Sequence, residues 1–330
     1  MKIDMHVHIA DIEALLAARQ TGKVFRSNRY LSYVLNQVLK TQFVSKKNER
    51  ININEQWIQS VADWVKASQL DKVILLALDA VFDESGKSCP EKTLIHVNNE
   101  FIYSVAARHK EFMFGASIHP YKKNAVEELE LLIKKGACLI KWIPSSQYIE
   151  PDNPKCYPFY EALVHYGIPL LSHTGVEHTL GSRRSAYNHP KRLIPALKKG
   201  VKVIAAHCGI HLFLHEVSFF NSWAFLAKEY ENMYGDSGAF SVVTRIPSLK
   251  RILKHKVLQK KLLYGSDFPG IPSPSWCWQL GPRKIHELSR ISNPLERNMC
   301  VMQALDMPLE IFERAHKLLC INKEILLNEY

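Results

Sequence analysis

The chain alternates short apolar runs with segments of helical periodicity along most of its 330 residues. Eight of these runs are five to eight residues long and largely apolar, which is typical of parallel strands buried on both faces. Eight such strands alternating with helices predict a (β/α)8 barrel, and an open doubly wound sheet is the alternative. The predicted strands are Lys2–Ile9, Lys72–Asp79, Phe112–His119, Ala137–Ile143, Ile168–His173, Val201–His207, Asn232–Asp236 and Lys261–Asp267.

The chain between the predicted strands is mostly helical in pattern. Residues 10–53 form a segment too long for a simple strand-to-helix loop, and we expect an extended insertion at the barrel rim with a helix of its own. A second rim loop is expected at 269–283, and capping helices are expected from Pro308 onward. We expect residues 1–330 to form a single domain. The predicted helices are Asn54–Ser68, Asn124–Lys134, Tyr157–Tyr166, Pro190–Lys199 and Ser222–Tyr230.

The charge balance is basic, with 43 Lys and Arg against 32 Asp and Glu, a net charge of +11. Part of the excess lies between Lys23 and Arg50. A basic surface can bind nucleic acid, but the sequence has no zinc-finger spacing, no RNA-binding aromatic signature and no repeated basic stripe. We therefore expect a solvated surface that attracts a small anionic substrate, and no nucleic-acid partner.

The seven cysteines are scattered and show no paired spacing, so a disulfide framework is not expected. Reduced thiols favour a cytoplasmic location. We recognise no signal peptide, and no apolar run approaches the roughly 18 residues that a membrane span needs. A soluble protein without a membrane partner is expected, and assembly into a homo-oligomer is compatible with the sequence.

Four histidines and one aspartate lie where predicted strands end. His6 and His8 are two residues apart on the first strand, so both project from one face. His173 and His207 each end an apolar run before a glycine turn, and Asp267 follows the last strand. Each residue, taken alone, could have a purely structural role, as a hydrogen-bonded histidine or as an aspartate that caps a turn. Their convergence at one barrel mouth would instead create a site for divalent metal.

These residues occur in the order seen in the amidohydrolase superfamily, and the chain resembles its amidohydrolase-related branch. The resemblance extends to the segments 117–120, 167–175 and 264–269, and covers nearly the whole chain except 10–53 and the extreme C-terminus. It implies a distorted (β/α)8 barrel with one or two divalent ions, for which we expect zinc. It also implies that His6, His8 and Asp267 bind the first metal. His173 would bind at the same site or be shared, and His207 would bind a second metal or the substrate.

Lys141, on the fourth predicted strand, bears on the number of ions. Two-metal members of the superfamily carry a lysine there, which CO2 converts to a carbamate that bridges both ions. The reaction needs an uncharged amine, which burial and neighbouring cations favour. The following Trp142 and the segment 144–147 differ from that pattern. We predict the bridging role with two ions, and the alternative is one ion with a free Lys141 that anchors a substrate carboxylate.

Several other polar residues lie near the predicted site. Asp236 and His119 end the seventh and third predicted strands and are candidates for supporting the ligands, as is Asp4 below His6. His211 and His215 are expected at the surface or behind the ligands, because no motif supports a separate zinc site. The candidates for substrate binding are Trp142, Glu177, His178 and Arg183.

Three functions are compatible with this set of residues. The first is hydrolysis of an amide, lactone or ester by a metal-activated water, with Asp267 as base and His207 stabilising the oxyanion or completing a second metal site. The second is a lyase, namely a non-oxidative decarboxylase or hydratase of the same superfamily. The third is a non-catalytic barrel that binds a ligand or nucleic acid, which the intact set of buried ligand residues argues against.

Overall fold

The computed structural model describes residues 1–9, 52–177 and 184–320. Within these ranges eight parallel strands pair in chain order to form one sheet. The strands are short and almost wholly buried, as expected where both faces of a parallel sheet are covered. Their bounds are β1 Ile3–His8, β2 Lys72–Leu76, β3 Phe112–Ala116, β4 Ala137–Trp142, β5 Leu170–His173, β6 Val203–Ala206, β7 Met233–Asp236 and β8 Leu262–Leu263.

The sheet closes on itself between β1 and the segment that follows β8. The amide of His8 donates to the carbonyl of Phe268 at 2.7 Å, and the amide of Asp267 donates to the carbonyl of His6 at 2.9 Å. These bonds extend the pairing beyond the two residues of β8. Register shifts between Asp4 and Val7 and between β3 and β4 make the barrel irregular. The prediction of a distorted (β/α)8 barrel is confirmed.

Helices surround the barrel. The first begins beside Asn52, whose side chain accepts hydrogen bonds from the amides of Asn54 and Glu55, and it buries Trp57 and Val61 on its inner face. The described α-helices are α1 Ile53–Lys66, α2 Asn99–Arg108, α3 Ala125–Lys134, α4 Pro144–Gln147, α5 Tyr157–His165, α6 Ile194–Lys198, α7 Phe220–Glu229, α8 Ile246–Leu253, α9 Lys256–Lys261, α10 Gly281–Ser289, α11 Pro294–Ala304 and α12 Glu310–Cys320.

The core has two layers. The larger layer lies between the strands and the surrounding helices, and a smaller one fills the barrel interior. Ile3 and Met5 contribute to the interior layer from β1, and Ala315 and Leu318 of α12 pack into the same cluster. The expected C-terminal capping is therefore present, with α12 against the floor of the barrel. The apolar floor leaves the opposite, carboxyl end of the barrel for polar chemistry.

The predicted elements agree with the structure in order and type, and differ mainly at their ends. Several predicted strands are shorter, because their last residues leave the ladder to enter the loops that form the mouth. The expected rim loop at 269–283 contains the 3-10 turns Pro274–Trp276 and Trp278–Leu280. Nearly all of the predicted insertion 10–53 lies outside the described residues, so the single-domain assignment stays a prediction. No helix in the described ranges combines the length and apolarity needed to cross a bilayer.

Candidate metal centre

The two histidines of β1 point into the mouth of the barrel. His6 is 1% exposed. His8 lies two residues further along the strand, and its side chain is 32% exposed. Gly265 allows the strand to approach closely, because a Cβ there would lie 2.8 Å from the Cβ of His6. Alternation along the strand therefore places both imidazoles on one face, as predicted.

His6, His8 and Asp267 form a compact triangle of donor atoms. The Nε2 atoms of His6 and His8 are 3.1 Å apart, and Oδ1 of Asp267 lies 3.3 Å from the first and 3.6 Å from the second. A tetrahedral zinc ion with bonds of about 2.0–2.1 Å holds its ligand atoms about 3.3 Å apart. The three residues therefore fit one face of a divalent-metal site.

Lys141 lies against this triangle from β4. Its Nζ is 2.9 Å from Nε2 of His6, and the side chain is buried. Burial lowers the pKa of Lys141, although Asp236, Asp267 and Glu177 act in the opposite direction. Lys141 thus lies beside the histidine cluster, and its role as a metal bridge stays a prediction.

His173 ends β5 on the other side of the mouth. Its Nδ1 lies 3.4 Å from the carboxylate of Glu177, and its ring is 5.1 Å from that of His207. Within the part of the chain that the structure describes, Nε2 of His173 is buried and has no hydrogen-bond partner. A buried nitrogen in this state is costly unless a ligand completes it, so this atom also fits a metal or a substrate.

His207 follows β6 in a 3-10 turn and stacks on His6 with 5.3 Å between ring centroids. Its Nε2 is 3.9 Å from Oδ2 of Asp267. The approach depends on Gly238, where a Cβ would lie 2.6 Å from Nδ1 of His207. His207 is therefore nearest the second oxygen of the aspartate, whereas His6 and His8 are nearest the first.

Asp267 stands between the histidines, with 26% of its side chain exposed. Burial raises the pKa of Asp267 to about 7, and the charge of Lys141 opposes this rise. In contrast, burial holds the pKa of His6 and of His207 well below their usual range. The cluster accordingly offers neutral imidazoles and one carboxyl group that titrates near neutrality.

Two further residues belong to this mouth. Asp236, which the sequence identified only as a supporting candidate, hydrogen-bonds Nδ1 of His6 at 2.7 Å. Arg245 was not identified at all. It is buried and donates to the carbonyl of Gly238 at 2.7 Å, and its charge lowers the pKa of His207, His173 and His6. Arg245 ends the short 3-10 turn Val243–Arg245 after β7, a position that no strand or helix periodicity singles out.

Two of the four candidates for substrate binding lie among the described residues. Trp142 is fully buried in the outer layer, where its Nε1 donates to the carbonyl of Ile118 and its ring stacks on Phe159. This placement does not support the prediction that Trp142 binds substrate, because neighbouring side chains on a strand face opposite ways and Lys141 takes the inner face. Glu177 contacts His173 as described, whereas His178 and Arg183 lie outside the described residues.

The structure also describes Asp4, His119 and His215, which the sequence suggested as residues near or behind the metal ligands. Asp4 lies beneath the cluster, where its Oδ1 accepts from the amides of His6 and Ser266. His119 hydrogen-bonds the carbonyl of Gln147 and takes no part in the cluster. The exposed His215 likewise belongs to neither of the two groups of potential metal ligands among the described residues, which are His6, His8 and Asp267, and His6, His207 and Asp236.

A closed (β/α)8 barrel with histidines on β1 and β5, a histidine directly after β6 and an aspartate after β8 places a candidate divalent-metal site at the mouth of the barrel. A family model described as Amidohydrolase matches residues 3–284, and the chain belongs to this family. Membership in an enzyme family sets aside the non-catalytic alternative.

Several solved structures share the fold. An uncharacterised TIM-barrel protein of Bordetella bronchiseptica is 15% identical, with a TM-score of 0.59 over 99% of this chain and 98% of that one. A putative 2-pyrone-4,6-dicarboxylic acid hydrolase of Pseudomonas putida is 12% identical, with a TM-score of 0.56 over 95% and 93%. A dihydroxybenzoic acid decarboxylase of Polaromonas sp. JS666, with bound manganese and an inhibitor, is 14% identical, with a TM-score of 0.50 over 92% and 96%. No curated protein sequence matches the chain.

Proposed function

We propose that the protein is a metal-dependent hydrolase that cleaves a lactone, ester or amide bond of a small anionic substrate. The observation that carries the proposal is the triangle of His6, His8 and Asp267, whose donor atoms are 3.1 to 3.6 Å apart. Family membership supports the same class of reaction. The anionic substrate is supported by the buried Arg245, whose positive charge lowers the pKa of the neighbouring His207.

Each residue at the barrel mouth has a separate role in the proposed hydrolysis. A divalent cation held by His6, His8 and Asp267 would supply Lewis acidity and make water nucleophilic near neutral pH. Asp267 accepts the proton of the attacking water, because its side chain is 26% exposed and its pKa is raised to about 7. His207 faces the second oxygen of the same carboxylate, and it either stabilises the oxyanion that develops on the substrate or completes a second metal site.

We propose zinc as the metal and two ions per chain, with carboxylated Lys141 as the bridge. Burial lowers the pKa of the Lys141 amine, as carboxylation requires, and the partnerless Nε2 of His173 together with His207 provides nitrogens for a second ion. A cytoplasmic location is also proposed, since the six described cysteines are free thiols.

The direct test is a hydrolysis screen of carboxylated lactones, aryl esters and N-acyl amides, beginning with 2-pyrone-4,6-dicarboxylate. We expect hydrolysis of at least one carboxylated probe, loss of the activity after chelation, and recovery with added Zn²⁺. Uncharged analogues of the same probe serve as matched controls and should react more slowly. A full panel without any metal-dependent hydrolysis would contradict the proposal.

The alternative function is decarboxylation, favoured by one specific contact. The unmodified Nζ of Lys141 already hydrogen-bonds Nε2 of His6, so a free ammonium is placed to anchor a substrate carboxylate beside the metal ligands. The decarboxylase of similar fold suggests a dihydroxybenzoate as the probe. Release of CO2 without hydrolysis of the other probes would select this function.

Lys141→Ala distinguishes the two arrangements of metal. In protein purified without added metal, we expect two ions per wild-type chain and one ion in Lys141→Ala, because the carbamate is lost. Metal content is measured by mass spectrometry on both proteins, with circular dichroism as a check of folding. One ion in both proteins would leave Lys141 as an anchoring residue and end the two-ion proposal.

A further inference from the structure

Asp236 occupies a central place beneath the metal-ligand triangle. It ends β7, is completely buried, and uses both of its carboxylate oxygens. Oδ2 lies 2.7 Å from Nδ1 of His6, while Oδ1 accepts from the amides of His207 at 2.8 Å and Gly238 at 3.0 Å. One carboxylate thus joins residues of β1, of the turn after β6 and of the loop after β7.

The bond to His6 determines which ring nitrogen carries the proton. Oδ1 of Asp236 already receives two backbone N–H groups, so the carboxylate acts as an acceptor, and Nδ1 of His6 must donate to Oδ2. A neutral imidazole has one ring proton. Nε2 of His6 then presents its lone pair to the atoms around it, which are those of His8, Lys141 and Asp267.

The bonds through Oδ1 hold the other side of the site. His207 has φ 62° and Cys208 has φ 52°, so two consecutive residues other than glycine lie in the left-handed region. This conformation is unfavourable and needs support from its surroundings. The bond from the His207 amide to Asp236 holds the turn so that the ring of His207 stacks on His6.

We propose that Asp236 is the positioning residue of the site. It fixes His6 in the Nδ1–H tautomer, with the Nε2 lone pair directed to the metal, and it holds the backbone of the His207 turn. The consequence for catalysis rests on the proposed function, whereas the tautomer of His6 does not.

Asp236→Asn tests the assignment with little change of shape. Its oxygen can still accept from the two amides, and its NH2 group then faces Nδ1 of His6. The ring must accept at Nδ1 and carry its proton on Nε2, where it blocks metal binding. In ¹⁵N NMR of the imidazoles, assigned by the loss of signals in His6→Gln, we expect the Nδ1–H form of His6 in wild type and the Nε2–H form in the variant.

Zn²⁺ affinity gives a second readout. We expect Asp236→Asn to weaken binding of Zn²⁺ about 10–100-fold, the range for loss of a partner behind a histidine ligand. Asp79→Asn is the matched control, because Asp79 is also buried and accepts from the His119 amide at 2.8 Å, but it lies away from the histidine cluster. The control should lose thermal stability and keep the wild-type affinity.

Three results would overturn the proposal. The Nε2–H form of His6 in wild-type protein would do so without any variant, even if Asp236→Asn fails to fold. An unchanged affinity in Asp236→Asn would also do so, as would loss of Zn²⁺ with the tautomer unchanged, since Asp236 would then be a ligand itself. If wild type shows the Nδ1–H form but binds no Zn²⁺, the proposed function fails and the tautomer assignment stands.

Discussion

Asp267→Asn is expected to lower kcat by about 10²–10⁴-fold, the range typical for loss of a general acid–base residue. The amide has nearly the same shape and retains an oxygen toward His6 and His8, so the fold and part of the metal binding should survive. It has no basic oxygen that can take the proton of water. The measurement is kcat on the best probe of the hydrolysis screen at saturating Zn²⁺, together with metal content.

The matched control for this variant is Asp306→Asn. Asp306 also has a left-handed backbone, with φ 61° as in Asp267, but it is exposed and lies between α11 and α12. Asparagine tolerates this conformation as well as aspartate does, so the control should keep wild-type kcat. Wild-type turnover in Asp267→Asn would refute the role of Asp267 as the base.

The same carboxyl group predicts the pH dependence of the reaction. Because the pKa of Asp267 is raised to about 7, its protonated form accumulates as the pH falls below neutrality, and this form cannot accept a proton. A bound cation would bring that pKa back down from its raised value. We therefore expect kcat/KM to fall on the acid side at or below pH 7, and this acid limb should be absent from the residual activity of Asp267→Asn.

His6→Ala is expected to reduce the affinity for Zn²⁺ by more than about 100-fold. Loss of a residue that only hydrogen-bonds a ligand costs up to about that factor, and this variant removes the ligand itself. It also leaves the buried Asp236 carboxylate and the buried Lys141 amine without their shared partner. A lost hydrogen bond to a buried polar group costs about 1–3 kcal/mol, so the free energy of unfolding should fall as well.

Competition with a chromophoric chelator gives the affinity, and denaturant unfolding gives the stability. His215→Ala is the control, because His215 is exposed and packs only on the ring of Phe213 among the ring contacts found for it in the described chain. Both quantities should stay at wild-type values in this variant. Full metal content in His6→Ala would mean that the ion is held elsewhere.

The positions of the principal site residues could be predicted from local patterns. His6 and His8 share a face because a strand has a period of two, and His173 and His207 lie at the mouth because parallel strands present their carboxyl ends on one side. The same alternation, applied to Lys141 and Trp142, would have placed the tryptophan in the outer layer. Proximity to Lys141 in the sequence therefore does not bring Trp142 to the substrate site, because its side chain points the opposite way.

Arg245 and the role of Asp236 could not be predicted in this way. Arg245 lies in a turn after β7, where no periodicity indicates which way a side chain points. Asp236 ends a strand, but two of its hydrogen-bond partners are distant in the chain. His6 is 230 positions away and His207 is 29 positions away, whereas Gly238 is only two positions away. Such partners are brought together only when the barrel closes.

By itself, the sequence determined the order of the strands, the barrel class and the position of four histidines at the mouth, because these follow from short-range periodicity and from the fixed direction of parallel strands. The tertiary structure alone decided the contacts among those side chains: the 3.1 to 3.6 Å triangle, the partnerless nitrogen of His173 and the carboxylate that orients His6. Hydrogen bonding and metal fit depend on differences of a few tenths of an ångström between distant strands. Only the curvature and register of the closed barrel set those distances.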